Sequence, residues 1–177
     1  MKKMQTVFRI NRDTHHATDE VQVQWVMEGE GRATVKFDGT SCMIEDGKLF
    51  RRYDAKKGKT APDGWVPCEP APDPVSGHWP GWLPVDFSDP ANRWHAEAFE
   101  DGLPDGTYEL VGPRVQGNRY NLDRHALWRH GSIEVHVERT RDALIAWLEA
   151  NDGEGLVFHH PDGRMAKLRR KDFGIKW

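Results

Sequence analysis

A lysine, an aspartate and a glycine lie close together in the segment KFDG, at Lys36, Asp38 and Gly39. A lysine amine is a nucleophile only after it has lost its proton, and its ordinary pKa of about 10.4 keeps it protonated at neutral pH. Nearby cations and partial burial lower that pKa. The segment is also typical of a solvent-facing polar stripe, because side chains on a strand alternate between two faces. This segment alone leaves both interpretations open.

Five segments in order along the chain resemble the covalent nucleotidyltransferase superfamily, which contains ATP-dependent DNA and RNA ligases and mRNA capping enzymes. They are KFDGT at 36–40, Arg52, YEL at 108–110, EGLV at 154–157 and KLR at 167–169. KFDG resembles the K-x-D-G lysine motif, EGLV the metal-binding glutamate motif, and KLR the K-x-K motif with arginine as its last residue. YELVGPRVQGN is similar to the glutamate strand of RNA ligases. MAKLRRKDFGIKW resembles the small stand-alone 5′–3′ RNA ligase family of animals.

The resemblance implies a catalytic role for several of these residues. Lys36 attacks the α-phosphate of ATP, which releases pyrophosphate and leaves lysyl-AMP. Lys167 and Arg169, together with Arg52, neutralise the phosphates and lower the pKa of the nucleophile. Asp38 matches the motif without a defined individual role. Such transfers gain mostly from positioning and charge stabilisation, so basic residues with a divalent cation are the expected set.

The resemblance also implies ligands for the metal and the nucleoside. Glu154 binds Mg²⁺ or Mn²⁺, which needs only one or two protein carboxylates. Glu109 holds a ribose hydroxyl of ATP or a water of the metal. Gly39 shapes the end of the lysine strand beside the nucleotide. Val35 stands where a glutamate is common, at a position that contacts adenine mainly through its backbone.

Adenine needs a flat apolar slot. In the family an aromatic side chain stacks on one face of the base, and an aliphatic residue of the E-G motif closes the other. Val157 fits the aliphatic position, and Trp128 is the choice for the aromatic one, although Leu127 or His125 can replace it. An ordinary core tryptophan is the alternative for Trp128.

The basic segment near the end of the chain predicts RNA contacts. Lys167 and Arg169 lie two apart on a predicted strand and share a face, where they line the ATP site. Arg170 points the other way and Lys171 lies at the strand end, so both can meet the RNA backbone. Of the adjacent Arg51 and Arg52, only one enters the pocket, and Arg52 is preferred.

The sequence therefore predicts an ATP-dependent RNA ligase that joins 5′-phosphate and 3′-hydroxyl RNA ends through lysyl-AMP and RNA-adenylate. The alternatives are an adenylyltransferase acting on DNA nicks or another acceptor, and a catalytically silent RNA-end-binding module. Capping enzymes and most DNA ligases carry a following OB-fold domain, and we expect none here. A cytoplasmic location without a membrane segment is expected, from two cysteines without C-x-x-C spacing and no long apolar run. A monomer is also expected.

Strands must position most of these residues. Apolar and polar residues alternate over 5–10 and 21–27, which predicts strands, and Asp46-Gly47 predicts a tight hairpin over 32–53. Further strands are predicted at 106–118, which runs into a Gly-Pro turn, at 125–138 around a turn at His130-Gly131, and in a final hairpin through Pro161-Asp162-Gly163.

Two helices are predicted between the strands. The first covers 89–102, with Asp89 as cap, Pro90 in the first turn and Gly102 at the end. The second covers 140–153, with Thr140 as cap. Its predicted apolar stripe consists of Leu144, Ala146, Trp147 and Ala150.

The segment 58–86 holds seven of the eleven prolines and three tryptophans. Proline disrupts strand ladders, so a long loop is predicted, which either packs over the core or covers a site.

With 177 residues, one domain over 1–177 is the default. The net charge of −3 means that phosphate contacts must come from a local basic patch. Several strands with two separated helices predict an α+β fold of largely antiparallel sheets. The resemblance implies a nucleotidyltransferase (ATP-grasp-like) domain.

Overall fold

The computed structural model describes residues 4–56 and 60–177. They form two compact units. Residues 38–130 form the inserted unit, and residues 4–37 and 131–177 form the split unit. None of the helices in the described ranges has the length and apolar composition that a membrane crossing requires.

Helices and strands are numbered in chain order. The strands are β1 (Gln5–Thr6), β2 (Phe8–Ile10), β3 (Ala17–Val21), β4 (Arg32–Lys36), β5 (Thr40–Glu45), β6 (Lys48–Ala55), β7 (Val66–Pro67), β8 (Trp79–Pro84), β9 (Gly106–Val111), β10 (Ala126–Arg129), β11 (Glu134–Val135), β12 (Gly155–His159) and β13 (Met165–Arg169). The α-helices are α1 (Gln24–Met27), α2 (Arg93–Ala98) and α3 (Arg141–Ala150), and two 3₁₀ helices cover Pro90–Asn92 and Arg170–Phe173.

The split unit contains a five-stranded sheet in the order β1-β13-β12-β4-β11 and the separate pair β2-β3. Among the described strands of this unit, only β1 and β13 pair in parallel. The predicted hairpin around 161–163 is confirmed by the antiparallel pairing of β12 with β13. Helix α3 packs on this unit's core through Leu144 and Leu148, which lie four residues apart on one helical face. Ala146 and Ala150 are exposed, so the predicted apolar stripe is wrong at these two positions.

Both predicted helix caps are confirmed. The Thr140 hydroxyl accepts a hydrogen bond from the Ala143 N–H, and the Asp89 carboxylate accepts one from the Ala91 N–H. The helix predicted over 89–102 is shorter than expected. It consists of a 3₁₀ turn followed by α2, which ends at Ala98.

The strand predicted over 21–27 is wrong beyond Val21. Residues 24–27 form α1, a single helical turn. The alternation of Val21, Val23 and Trp25 imitates a strand period. Trp25 and its neighbour Val26 are nevertheless both buried, which a strand with one buried face does not allow.

The inserted unit contains a six-stranded antiparallel sheet in the order β10-β9-β5-β6-β8-β7. The tight turn between β5 and β6 is confirmed, with positive φ angles of 50° at Asp46 and 69° at Gly47. The first strand of the predicted hairpin is divided, however. Strand β4 ends at Lys36 and belongs to the split unit, whereas β5 begins at Thr40.

The pairing predicted within 125–138 is wrong. Strand β10 pairs with β9 in the inserted unit, and β11 pairs with β4 in the split unit. The turn signal at His130-Gly131 correctly marks the end of β10. It does not determine the partner of β10, which is β9 and not β11.

The proline-rich segment is only partly a loop, and its residues 58 and 59 lie outside the described ranges. Strand β8 pairs with β6 along its full length, although it contains Pro80 and Pro84. The Val85 N–H, directly after β8, donates to the Leu49 carbonyl of β6. Because backbone groups alternate in direction along a strand, the N–H and C=O groups of the odd-numbered residues of β8 point towards β6. Pro80 and Pro84 point their missing donors away from β6, so the pairing of β6 with β8 loses no hydrogen bond.

Candidate active site

Three neighbouring strands of the split unit present candidate catalytic residues on one face. Lys36 of β4 is the register partner of Gly155 on β12, which is also the partner of Arg169 on β13. Val157 and Lys167 are register partners two residues further along these strands. Paired and alternate residues of antiparallel strands point to the same face. The sheet therefore brings Lys36, the predicted nucleophile, to the same face as the cations Lys167 and Arg169 of β13. Val157, the predicted adenine contact, lies on this face as well.

The opposite face of the same strands is apolar and buried. Its residues are Ala33, Leu156, Phe158, Ala166 and Leu168. A shift of one residue in any of these strands would move charged side chains into the core. Burial of one face thus fixes the register that aligns the charged residues on the other.

The ammonium Nζ of Lys36 is in direct contact with the carboxylate Oε2 of Glu154. It also donates to the Phe37 carbonyl at 3.4 Å. The side chains of Lys36 and Glu154 are 19% and 20% exposed. Glu154 is held by its backbone, because its N–H donates to the Lys36 carbonyl and its carbonyl accepts from the Arg170 N–H. The predicted nucleophile and the predicted metal ligand are therefore paired.

Gly155 is required by the closeness of two backbones. A Cβ added at Gly155 would lie 1.9 Å from the Leu168 carbonyl oxygen of β13. Any side chain would thus separate β13, which carries Lys167, from β12, which begins directly after Glu154. This close approach gives a physical reason for glycine in the E-G motif.

Lys167 lacks a side-chain partner among the described residues. Burial, and then the neighbouring charges of Arg169 and Lys36, lower the pKa of its ammonium from 10.5 to about 8. Glu154 and Asp172 act in the opposite direction, with a smaller effect on the pKa. A half-buried cation beside other cations is the environment that an anionic ligand would stabilise.

Arg169 and Arg170 are both held by hydrogen bonds. The guanidinium of Arg169 binds the buried carboxylate of Asp172 through two hydrogen bonds. Arg170 begins the 3₁₀ helix instead of continuing the strand, and its guanidinium donates to the carbonyls of Asn151 and Lys176. Lys171 is exposed. The roles of Arg170 and Lys171 in RNA binding stay predictions, with Lys171 the more accessible of the two.

The backbone of Val35 is already engaged. Its N–H donates to the Ile133 carbonyl at 2.9 Å. Its predicted backbone contact with adenine stays a prediction.

In the inserted unit, Glu109 is a buried carboxylate with three donors. Its Oε1 accepts from the Gly39 N–H at 3.0 Å, and its Oε2 accepts from the Ser41 hydroxyl at 3.2 Å. The Nε2 atom of His130 lies 2.7 Å from Oε2. Three donors leave little capacity for metal coordination and suit an acceptor for one further hydroxyl. The geometry favours the ribose role over the metal role for Glu109.

Trp128 is the register partner of Glu109 across β10 and β9, so both side chains share one face of the sheet. Trp128 is partly buried, and its ring lies 4.7 Å from the ring of Tyr120 at a tilt of 55°. His125, the alternative for the adenine contact, is buried, stacks on Trp94 and binds Glu97. These contacts favour Trp128 over His125 for a role in ligand binding.

The loop after β9 holds the D-G step of the lysine motif. The Asp38 N–H donates to the Tyr120 hydroxyl at 2.7 Å, and Arg119 lies 3.6 Å from the Asp38 carboxylate. The Gln116 amide donates to the Gly39 carbonyl at 3.4 Å. A Cβ at Gly39 would lie 2.2 Å from the backbone of Leu110, so glycine is needed for this passage.

Arg52 and Arg51 lie on opposite faces of β6. Arg51 is the register partner of the buried Cys42, whereas Arg52 donates to Asp54 at 2.8 Å. Arg52 also lines a cavity of about 540 Å³ with residues 69–74 of the proline-rich segment. The preference for Arg52 over Arg51 in the ATP pocket stays a prediction.

The residues of the split unit fit a divalent cation only in part. Within the described ranges, no group of three or more His, Cys, Asp or Glu side chains could hold a metal ion. Glu154 supplies one carboxylate, which is sufficient for Mg²⁺ when water and substrate phosphates complete its shell. This arrangement fits a metal ion that binds together with the substrate phosphates. It does not fit a metal ion that stays bound to the protein without substrate.

Sequence reasoning missed four residues that contact the predicted ones: His130, Tyr120, Arg119 and Asp172. Arg119 and Tyr120 directly follow the segment YELVGPRVQGN, and Asp172 lies three residues after Arg169. Their positions were therefore close to recognised motifs. Their partners could be identified only from the fold.

Comparison with known proteins gives a consistent family assignment. A family model described as RNA ligase 1 matches residues 99–177. RNA ligase 1 of Pongo abelii is 30% identical, over 81% of this chain and 67% of the relative. RNA ligase 1 of Rattus norvegicus is 28% identical over 82% and 68%, and that of Danio rerio is 26% identical over 82% and 68%. The chain belongs to the RNA ligase 1 family.

Proposed function

We propose that this chain is an ATP-dependent RNA ligase that joins 5′-phosphate and 3′-hydroxyl RNA ends. Membership of the RNA ligase family supports RNA ends as the substrate. The observation that carries the ATP-dependent chemistry is the shared face of β4, β12 and β13. It combines Lys36, in contact with Glu154, with the cations of Lys167 and Arg169. A nucleophile, a carboxylate and two further cations are the groups that nucleotidyl transfer uses.

In the first step, the Lys36 Nζ forms a bond to the α-phosphorus of ATP. The bond from that phosphorus to the oxygen bridging to the β-phosphate breaks, and pyrophosphate leaves with the electron pair. The ammonium must first lose a proton, and the Glu154 carboxylate is the acceptor in contact with it. Lys167 and Arg169 stabilise the charge on the phosphates during the transfer.

In the later steps, the RNA 5′-phosphate attacks the α-phosphorus and releases Lys36, which yields RNA-adenylate. The 3′-hydroxyl then attacks the 5′-phosphate, and AMP leaves. Lys171, with Arg170, contributes to binding the RNA backbone. Trp128 and Val157 bind adenine and Glu109 accepts a ribose hydroxyl, as the family resemblance implies.

A divalent cation such as Mg²⁺ or Mn²⁺ supplies charge neutralisation at the phosphates when it is bound. Glu154 is the residue of this chain that would hold it. The same carboxylate orients the Lys36 ammonium through their direct contact.

The test is incubation with α-³²P-labelled ATP and Mg²⁺, followed by denaturing electrophoresis. The wild-type protein should retain label, Lys36→Ala and Lys36→Arg should not, and Lys48→Ala, at an exposed position, should label normally. A second assay offers 5′-phosphorylated RNA and, separately, nicked DNA. Sealing of RNA supports the proposal. Label on Lys36→Ala, no label on wild type, or sealing of DNA alone would contradict it.

A further inference from the structure

Arg169 and Asp172 form a paired unit at the end of β13. The Nε atom of Arg169 donates to Oδ2 of Asp172 at 3.0 Å, and its Nη2 donates to Oδ1 at 2.7 Å. The side chains of Arg169 and Asp172 are 21% and 4% exposed. Two parallel hydrogen bonds to one carboxylate fix the plane of the guanidinium as well as its distance.

The backbone around Asp172 is itself held firmly. The 3₁₀ helix Arg170–Phe173 follows β13 directly and is capped at its C-terminal end by Gly174, which has a φ of 69°. The Ile175 N–H donates to the Arg170 carbonyl at 3.1 Å. Because the Arg170 guanidinium also binds two backbone carbonyls, residues 170–176 form a rigid support for the Asp172 carboxylate.

The contact with Asp172 uses one edge of the guanidinium only. Among the described residues, Nη1 of Arg169 donates to no partner. Arg169 shares its sheet face with Lys36 and Lys167, so its unused N–H groups belong to the face that carries the predicted nucleophile. A guanidinium fixed along one edge can bind two phosphate oxygens with the rest of its donors.

We propose that Asp172 is a positioning residue, which fixes the guanidinium of Arg169 so that its remaining donors bind a phosphate of the reaction. This inference rests on the proposed function. An unheld arginine would lose rotamer freedom each time it bound the phosphate, whereas a held one is preorganised. The phosphate belongs either to ATP or to the 5′-end of the RNA, and both present the same oxygen acceptors.

The experiment compares wild type, Asp172→Asn, Arg169→Ala and the double variant in two assays. One is single-turnover adenylation with labelled ATP, and the other is sealing of RNA that has been adenylated chemically beforehand. Asp172→Asn should lower the rate at saturating substrate roughly 10-fold or more, because it loses a charge-assisted pair. The half-saturating ATP concentration should change less than about threefold. Loss in the adenylation assay assigns the phosphate to ATP, and loss in the sealing assay assigns it to RNA.

The double variant separates positioning from general stability. In the Arg169→Ala background, Asp172→Asn should leave the rate unchanged, because its effect acts through the arginine. The same substitution should raise the melting temperature of Arg169→Ala, because it removes a buried carboxylate without a partner. The matched control is Asp162→Asn, which breaks the Arg164–Asp162 pair in the turn of the same hairpin and should keep wild-type rates.

Three results would overturn the inference: wild-type rates in both assays for Asp172→Asn, a further rate loss in the double variant, or a wild-type rate for Arg169→Lys. Arg169→Lys keeps the charge but cannot bind both carboxylate oxygens, so it decides the question even if Asp172→Asn fails to fold. Absence of labelling in the wild-type protein would instead contradict the proposed function, which keeps the two failures distinct.

Discussion

Lys36 and Glu154 are 118 residues apart in sequence, and their side chains are in direct contact. The contact depends on register, because Lys36 and Gly155 are partners across β4 and β12. A backbone hydrogen bond from Glu154 to Lys36 adds a second link between the same residues. The carboxylate thus has a fixed position beside the amine before any substrate binds.

Glu154→Gln should slow adenylation roughly 100-fold, because the neutral amide binds a divalent cation more weakly than a carboxylate does and cannot accept the lysine proton. Labelling at a series of Mg²⁺ and Mn²⁺ concentrations measures the effect. Asp152→Asn is the control, since this nearby carboxylate is exposed and should not matter. Unchanged rates and metal dependence in Glu154→Gln would rule out both roles.

Lys167→Met should stabilise the protein at pH 7 by about 1–2 kcal/mol, because it removes a partly buried ammonium. This value is smaller than the full pKa shift of Lys167 would give, because the group is partly exposed and water screens its charge. The pKa of Lys167 falls from 10.5 to about 8 in the folded state, mainly through burial. Between these values the unfolded chain keeps the proton while the folded protein releases it. Wild-type stability should therefore rise with pH over this range, and the advantage of the variant should shrink.

Urea unfolding at pH 7 and pH 9.5 measures this difference. Lys171→Met is the matched control, because Lys171 is an exposed lysine of the same unit. Equal stability of Lys167→Met and wild type at pH 7 would show that burial of this ammonium has no cost. Lys167→Met should also lose adenylation, so stability and activity should change in opposite directions.

Lys171→Ala should spare adenylation and weaken RNA sealing. Loss of one phosphate contact should lower the salt slope of RNA binding by about one unit. Sealing at low and moderate salt measures this effect. Arg170→Ala should also lower the melting temperature, because its guanidinium binds the carbonyls of Asn151 and Lys176. Equal losses in adenylation and sealing for Lys171→Ala would contradict an RNA role for this residue.

His130→Phe should raise the KM for ATP roughly 10-fold, because Glu109 loses one of the donors that orient its carboxylate. His130→Asn keeps a donor and should retain more activity. If Glu109 accepts a ribose hydroxyl, the preference for ATP over its deoxy analogues should fall in His130→Phe. A preference equal to that of wild type would argue against the ribose role.

Trp82→Ala should destabilise the protein by about 3–5 kcal/mol, the usual cost of truncating a buried aromatic residue. Trp82 is 6% exposed on β8, so at this position the proline-rich segment packs into the fold. Val75→Ala is the control, because Val75 is 82% exposed. A melting temperature of Trp82→Ala equal to that of wild type would show that the segment contributes nothing to stability.

Local signals in the sequence predicted the elements well. Thr140 identified the start of α3, and Asp46-Gly47 identified the turn between β5 and β6, because both depend on a few adjacent residues. Pairing between distant strands was harder to predict. The segment 125–138 contributes strands to two different sheets, and no nearby residue specifies that division.

In the candidate site, too, single residues were easier to predict than contacts between distant residues. The motifs identified Lys36 and Glu154 as functional candidates, and the fold brings them into contact. His130 lies outside the motifs, and Asp172 lies within MAKLRRKDFGIKW without an assigned role. Their importance lies in the carboxylate or guanidinium that each one holds. A sequence motif gives the type of a reactive residue, whereas the residues that orient it depend on which strands become neighbours.

The division of the split unit by the inserted unit has a consequence for protein synthesis. A nascent chain that has emerged as far as His130 contains every residue of the inserted unit, which can fold while translation continues. Strand β4 has emerged by then, but its neighbour β12 and the cations of β13 have not been made. The surroundings of Lys36 are therefore completed only after Arg169 has left the ribosome. If Lys36 is the nucleophile as proposed, a ribosome-bound chain cannot form lysyl-AMP before that point, and the last strand of the sheet sets the earliest moment of activity.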